Sequence, residues 1–200
     1  WETMAQIYQS YGAHYTGESL QAHYKELVKQ AEESIAKEKQ VTYPEIDLTV
    51  IFVQLYLESH PTGASVHHLK EWGRLIARTF RVLSRKRLEL YPHTKEVLED
   101  MKAAGCRLYL LSNAQADFTN PEIDLLGLRE IFHDIYLSSD AGIRKPQQEF
   151  LVKVIKEHQL NPDKTVMVGN DFTTDVAVAK SIGMQSILIN TFPYSDEELQ

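Results

Sequence analysis

Two hundred residues, 43% hydrophobic and 24% charged, are an ordinary globular composition that excludes disordered, collagen-like and fibrous chains. A net charge of −7 sets the surface against phosphate backbones and anionic bilayers, so neither nucleic acid nor membrane is an expected partner. The single cysteine, Cys106, excludes an internal disulfide and a cysteine metal cluster, and fits a reducing cytoplasm. The longest apolar stretch, Val50 to Leu57, falls far short of the roughly 20 residues of a membrane helix. Trp1-Glu-Thr-Met-Ala has neither the basic head nor the apolar run of a secretory signal, so a cytoplasmic location is expected. A first residue of Trp rather than Met leads us to expect a longer translation product.

Residues 1–90 read as an all-helical unit. Tyr24, Leu27, Val28, Ala31 and Ile35 share one helical face, and Val66, Leu69, Trp72, Ile76, Phe80 and Leu83 repeat that spacing. Pro44 is placed to open a third helix between them, which should stop before the turn chemistry of Ser59-His-Pro-Thr-Gly63. Tyr8, Tyr11, Tyr15 and Tyr24 suit half-buried packing, or a pocket lining. His67-His68 lacks a metal partner at useful spacing and suits a helix surface. The basic run from Arg78 to Arg87 is either a solvated face or, through Arg78, Arg81 or Arg85, an attraction for anions.

From residue 91 to 200 the pattern changes to an α/β core. Lys95 to Ala104 predicts a helix with Val97, Leu98 and Met101 inward, stopped by Gly105. Cys106–Leu111, Ile135–Leu137, Thr165–Val168 and Gln185–Ile189 are short apolar runs suited to buried parallel strands, the first opening on an inert Cys106. Helices over Gln147–His158 and Thr174–Ile182 fill gaps between them. Strand–helix alternation of this length gives a doubly wound parallel sheet carrying an all-helical cap.

In such sheets chemistry collects at the carboxyl ends of the strands. Ser112-Asn113 follows one run, Lys145-Pro146 precedes a helix, and Gly169-Asn-Asp-Phe-Thr-Thr-Asp175 follows another. A hydroxyl, an ammonium and paired carboxylates on one rim suit a phosphoryl group and Mg²⁺, a hard cation that takes oxygen ligands. Taken singly, each motif also reads as a turn, a loop or a helix cap.

In this order, with 33 residues from Ser112 to Lys145 and 26 from Lys145 to Asp171, the motifs over residues 90–190 resemble the haloacid dehalogenase (HAD) superfamily. The resemblance implies a Rossmannoid core with a C1-type helical cap and a Mg²⁺-dependent phosphatase of a small phosphorylated metabolite, monomeric or homodimeric. It implies that Ser112 binds the phosphoryl group with Asn113 in support and that Lys145 stabilises nucleophile and phosphoryl charge. It gives Mg²⁺ to Asp171 and Asp175, with Asn170 standing where many members carry Asp; Asp171 is the favoured contact. Rivals are a 2-haloacid dehalogenase, a non-catalytic HAD-fold binding protein, and a receiver domain, which has no such cap.

The superfamily's nucleophile is the first Asp of an Asp-x-Asp ending its first strand, and no Asp-x-Asp occurs in these 200 residues. That strand lies between those ending at Ser112 and Asp171. Its absence would leave two central strands with unpaired main-chain groups. A strand and loop of roughly 10–25 residues preceding Trp1 is therefore expected in the working protein.

Overall fold

The aromatic residues of the first eighty positions converge on one cluster. In the computed structural model, which describes residues 1–59, 66–191 and 194–195, four helices surround it. They are α1 (Glu2–Ser10), α2 (Gly17–Lys39), α3 (Leu48–Glu58) and α4 (Leu69–Ser84). Tyr8, Phe52, Leu55 and Tyr56 are fully buried, with Met4, Leu20 and Ile76 filling between them. Tyr8 donates its hydroxyl to the Phe52 carbonyl at 2.7 Å and Tyr15 to the Leu55 carbonyl at 2.9 Å, which lets two phenols sit in the core without an unsatisfied O–H. These tyrosines are packing residues. His67 and His68 lie on the surface.

Local chemistry sets the helix ends. Thr16 and Ser19 form a capping box at the start of α2, and Lys37 and Lys39 face its dipole at the far end. α3 opens at Leu48, where the Asp47 carboxylate takes the Thr49 amide at 2.8 Å. The helix expected from Pro44 therefore starts later, because Pro44 is engaged in an antiparallel bridge with Ile143. In α4, Trp72 and Ile76 point inward while Leu83 is exposed, so the last turn leaves the predicted face. The predicted turn at residues 60–63 lies outside the described residues.

The remaining elements are α5 (Thr94–Ala103), β1 (Tyr109–Ser112), α6 (Ala116–Leu125), β2 (Asp134–Leu137), α7 (Ser138–Ala141), α8 (Gln148–Glu157), β3 (Val166–Gly169), α9 (Ala177–Ser181) and β4 (Gln185–Leu188). β1 pairs parallel with β2, Ser112 opposite Leu137, and β3 pairs parallel with β4, Gly169 opposite Leu188. Among the described residues these are two separate two-stranded sheets. Phe150, Leu151 and Val154 of α8 share one buried cluster with Leu111 and Tyr136 of the first sheet, Val178 and Ala179 of α9 and Met184. Met167 of β3 packs against it, so one cluster joins both sheets. The architecture is an α/β core with a helical unit.

Three inward assignments are corrected. Val97 and Met101 of α5 are exposed and only Leu98 is half-buried, packing near Leu110 and Ile135. Cys106 lies outside β1 and is exposed, since the strand begins at Tyr109. Val166, Val168 and Ile187 present an uncovered apolar face on the β3–β4 pair. α6 goes unpredicted, because Pro121 stands inside it. Proline removes the N–H that would bond the Asp117 carbonyl four residues earlier. Arg78 of α4 supplies a replacement donor, its Nε reaching that carbonyl at 3.3 Å.

The same seam decides the fate of the basic run. Arg81 donates through Nε and a terminal nitrogen to the two oxygens of Glu122, at 2.7 and 3.0 Å, and Arg85 adds a third bond at 3.0 Å. Arg74 pairs with Asp117, whose other oxygen takes the Thr49 hydroxyl at 2.6 Å. The arginines thus staple α4 to α6. Glu122 is held below the usual carboxylate range: burial pushes it up, and the hydrogen bonds and charges of Arg81 and Arg85 outweigh that.

Candidate functional site

Lys145 is the centre of the site because its surroundings leave it one position. It is buried, which is tolerable for an ammonium only with partners. Its Nζ donates to Asp175 Oδ1 at 2.6 Å and to the Leu111 carbonyl on β1 at 2.7 Å. An ammonium has three donors, so one remains. The main chain of Lys145 is gripped by Asn113: its Oδ1 accepts the Lys145 amide at 2.7 Å and its Nδ2 donates to the Lys145 carbonyl at 2.9 Å. Asn113 therefore ties the end of β1 to the lysine loop.

The opposite wall is the acidic loop. Asp175 Oδ2 accepts the amides of Asn170 at 3.0 Å and Asp171 at 3.1 Å, folding the loop over its own carboxylate. Gly169 is required there, since a Cβ would overlap that carboxylate. Asp171 caps the π-helical turn Phe172–Val176, its Oδ1 taking the amides of Thr173 and Thr174 and the Thr173 hydroxyl. Burial raises its pKa, but these donors outweigh burial and hold the carboxyl below its ordinary range. Both oxygens of Asp175 thus serve the protein, whereas the Thr173 and Thr174 amides and the Thr173 hydroxyl all bond Asp171 at Oδ1. Asn170 donates through Nδ2 to Thr191 at 2.9 Å, which leaves its Oδ1 as an acceptor. Ser112, half-buried at the end of β1, has a hydroxyl with no protein partner among the described residues.

Sequence reasoning missed the residues that frame this site. Ser138 Oγ takes the Ala114 amide and donates to Glu45 of the helical unit at 2.7 Å, and Ser139 Oγ takes the Ala116 amide. Gln115 donates to Glu45 and the Ile46 carbonyl and accepts the Leu48 amide. Only the polarity of Gln115 and Ser138 beside a strand end could have flagged them. A cleft of about 270 Å³ runs along this seam, walled by Ile35, Ile46, Val50, Asp140 and Gly142; none of the six predicted site residues lines it. Asp140 is pushed up by burial and by the charges of Asp47 and Asp117.

For Mg²⁺ the chemistry of the donors fits. Asp171 and Asn170 offer hard oxygens, and Mg²⁺ commonly binds through one or two protein oxygens, water and phosphate. Among the described residues no group of three His, Cys, Asp or Glu side chains is arranged to hold a metal without such help.

Comparison with known proteins gives the family and the fold. The model of the haloacid dehalogenase-like hydrolase family matches residues 6–189, and the chain belongs to that family. A glyceraldehyde 3-phosphate phosphatase of Methanothermobacter thermautotrophicus is 31% identical over 104 residues, 52% of this chain and 46% of that one. A phosphoglycolate phosphatase of Vibrio vulnificus is 30% identical over 109 residues, 54% of this chain and 47% of that one. The chain spans about half the length of the curated relatives it matches. A 2-haloacid dehalogenase from Pseudomonas syringae shares the fold, with a TM-score of 0.67 at 18% identity over 96% of this chain and 76% of that one.

Proposed function

We propose that the protein is a Mg²⁺-dependent phosphatase of a small phosphorylated metabolite, working in the cytoplasm as a monomer or homodimer, with residues 1–90 as cap and 91–200 as core. The observation that carries this reading is Lys145, buried between Asp175 and the end of β1 with one donor left, on the carbonyl of the residue that precedes Ser112. The phosphatase names among the relatives support the substrate class. Among the described residues no helix is long and apolar enough to cross a membrane.

Each residue has a distinct task. Ser112 donates to a phosphoryl oxygen and the remaining Lys145 donor to another, opposing charge that spreads over the equatorial oxygens. Asn113 keeps Lys145 in place, and Asp175 orients both its ammonium and the acidic loop. Asp171 and Asn170 would hold Mg²⁺, which when bound neutralises charge on the phosphoryl group. The attacking carboxylate belongs to a further strand between β1 and β3. Two features support such a strand. Lys145 on the Leu111 carbonyl marks the open edge of β1, and alternation along β3 turns the main chains of Val166 and Val168 away from β4. That carboxylate bonds to phosphorus as the P–O ester bond breaks, and the leaving oxygen takes a proton from water. Water then attacks phosphorus, restores the carboxylate and releases phosphate.

The test is a panel of small phosphate monoesters assayed with Mg²⁺ and with chelator, on protein whose N-terminus has been read by mass spectrometry. Mg²⁺-dependent hydrolysis, reduced about 10²–10⁴-fold by Lys145→Ala, is the expected result. Metal-independent halide release from 2-haloacids would place the chain with the dehalogenases. Phosphate binding without turnover, in protein carrying the further strand, would make it a binding protein.

A further inference from the structure

The lysine loop has a second wall, and it comes from the helical unit. Thr42 to Glu45 runs alongside Gly142 to Gln147. The Glu45 amide donates to the Gly142 carbonyl at 3.1 Å and the Arg144 amide to the Tyr43 carbonyl at 3.0 Å, around the Pro44–Ile143 bridge. Two residues past Lys145, Gln147 Oε1 accepts the amides of Thr42 at 3.1 Å and Tyr43 at 3.2 Å. The segment that carries Lys145 is thus held on both sides of the lysine by main chain of the other unit.

What fixes this wall is Glu45. Its carboxylate accepts the hydroxyl of Ser138, a fully buried residue at the end of β2, at 2.7 Å, and the Gln115 amide at 3.2 Å. We propose that Glu45 is a positioning residue: it anchors the Thr42–Glu45 segment on the core, and that segment holds the lysine loop so that Lys145 stays on Asp175. The importance for catalysis rests on the phosphatase reading, but the placement of Lys145 does not. A helical unit fastened in this way cannot lift off its core without loosening Lys145, so its position and the readiness of the site change together.

The experiment reads Lys145 directly, without turnover. The folded protein is pulse-acetylated at amines and the modification of Lys145 is followed by peptide mass spectrometry, with exposed Lys164 as internal reference. Glu45→Ala is expected to raise Lys145 labelling about tenfold, as local opening becomes easier. Glu45→Gln, which keeps an acceptor for Ser138, restores most of the protection. Gln147→Ala removes the other anchor and is expected to act in the same direction, which keeps the test available if Glu45→Ala fails to fold. Thr49→Val, which breaks the contact with Asp117 elsewhere on the seam, leaves labelling at the native rate. Native-rate labelling in both Glu45→Ala and Gln147→Ala, or an equal rise in Thr49→Val, would overturn the proposal. Neither result depends on whether the protein hydrolyses phosphate esters.

Discussion

Lys145 and Asp175 meet at 2.6 Å with each side chain 8% exposed, and the pair joins two sheets that share no ladder among the described residues. The ammonium takes the Leu111 carbonyl at the open edge of β1 while the carboxylate gathers the loop that ends β3. One ion pair therefore sets both the site and the relation between the two halves of the core.

Removing one partner leaves the other charge buried. Lys145→Met is expected to cost about 3–5 kcal/mol, the range for breaking a buried pair. The double variant Lys145→Met with Asp175→Asn should recover part of that, because Asn keeps an acceptor for the Asn170 and Asp171 amides and carries no charge. Urea denaturation of the three proteins checks this. A single-variant cost below about 1 kcal/mol would mean that water reaches Asp175 freely.

Gly169 makes a narrower prediction. A methyl group here overlaps the Asp175 carboxylate, so Gly169→Ala must displace that carboxylate or the strand end. The expected loss is about 1–3 kcal/mol, as for overpacking. Gly105→Ala is the contrasting case: nothing lies within 4 Å of the added carbon, and only its φ of +88° opposes the change. Thermal melts read the loss, and in NMR spectra the amide signals of Asn170 and Asp171 should shift in the first variant alone; unchanged signals there would refute the overlap.

Glu122 links the staple between α4 and α6 to pH. Its folded-state pKa lies below its unfolded one, despite burial, because of Arg81 and Arg85. The stability it contributes is therefore complete above its unfolded value of about 4.3 and is lost as pH falls through the folded value. Arg81 is 38% exposed, so solvent screening holds the contribution to about 1 kcal/mol. Melting temperatures of wild type and Glu122→Gln should differ most near pH 6 and converge as pH falls through the folded value. Asp171 and Asp140 titrate in both proteins and cancel in the difference. A gap that does not shrink at all as pH falls from 6 to the onset of acid unfolding would show that Glu122 acts by shape rather than charge.

The strands and the acidic loop were legible because contiguous apolar runs ending in Ser112 and Gly169 leave few alternatives to a strand. Four features were not. Glu45 and Ser138 are 93 positions apart, and neither residue type announces a contact across that distance. Val97 and Met101 have the spacing of an inward face, yet helical spacing cannot say whether anything covers it. The arginines from 78 to 85 read as a solvated face because the Asp117 carbonyl and Glu122, which claim them, stand on a helix that Pro121 disguises. Pro44 invited a helix start, but fixed φ serves the bridge to Ile143 equally well.

That disguise yields the last test. Pro121 frees the Asp117 carbonyl, and Arg78 Nε occupies it at 3.3 Å. If the two facts are cause and effect, they must be energetically coupled. Arg78→Ala is expected to cost about 1 kcal/mol in the native background, since it orphans a carbonyl that is already without its helical donor. In Pro121→Ala, the residue at 121 supplies its own N–H to Asp117, and the same arginine substitution should then cost close to nothing. Urea denaturation of the four proteins gives the coupling energy directly. A coupling near zero would mean that Arg78 stabilises the seam only through the nearby charges, and that the proline and the arginine met there by chance.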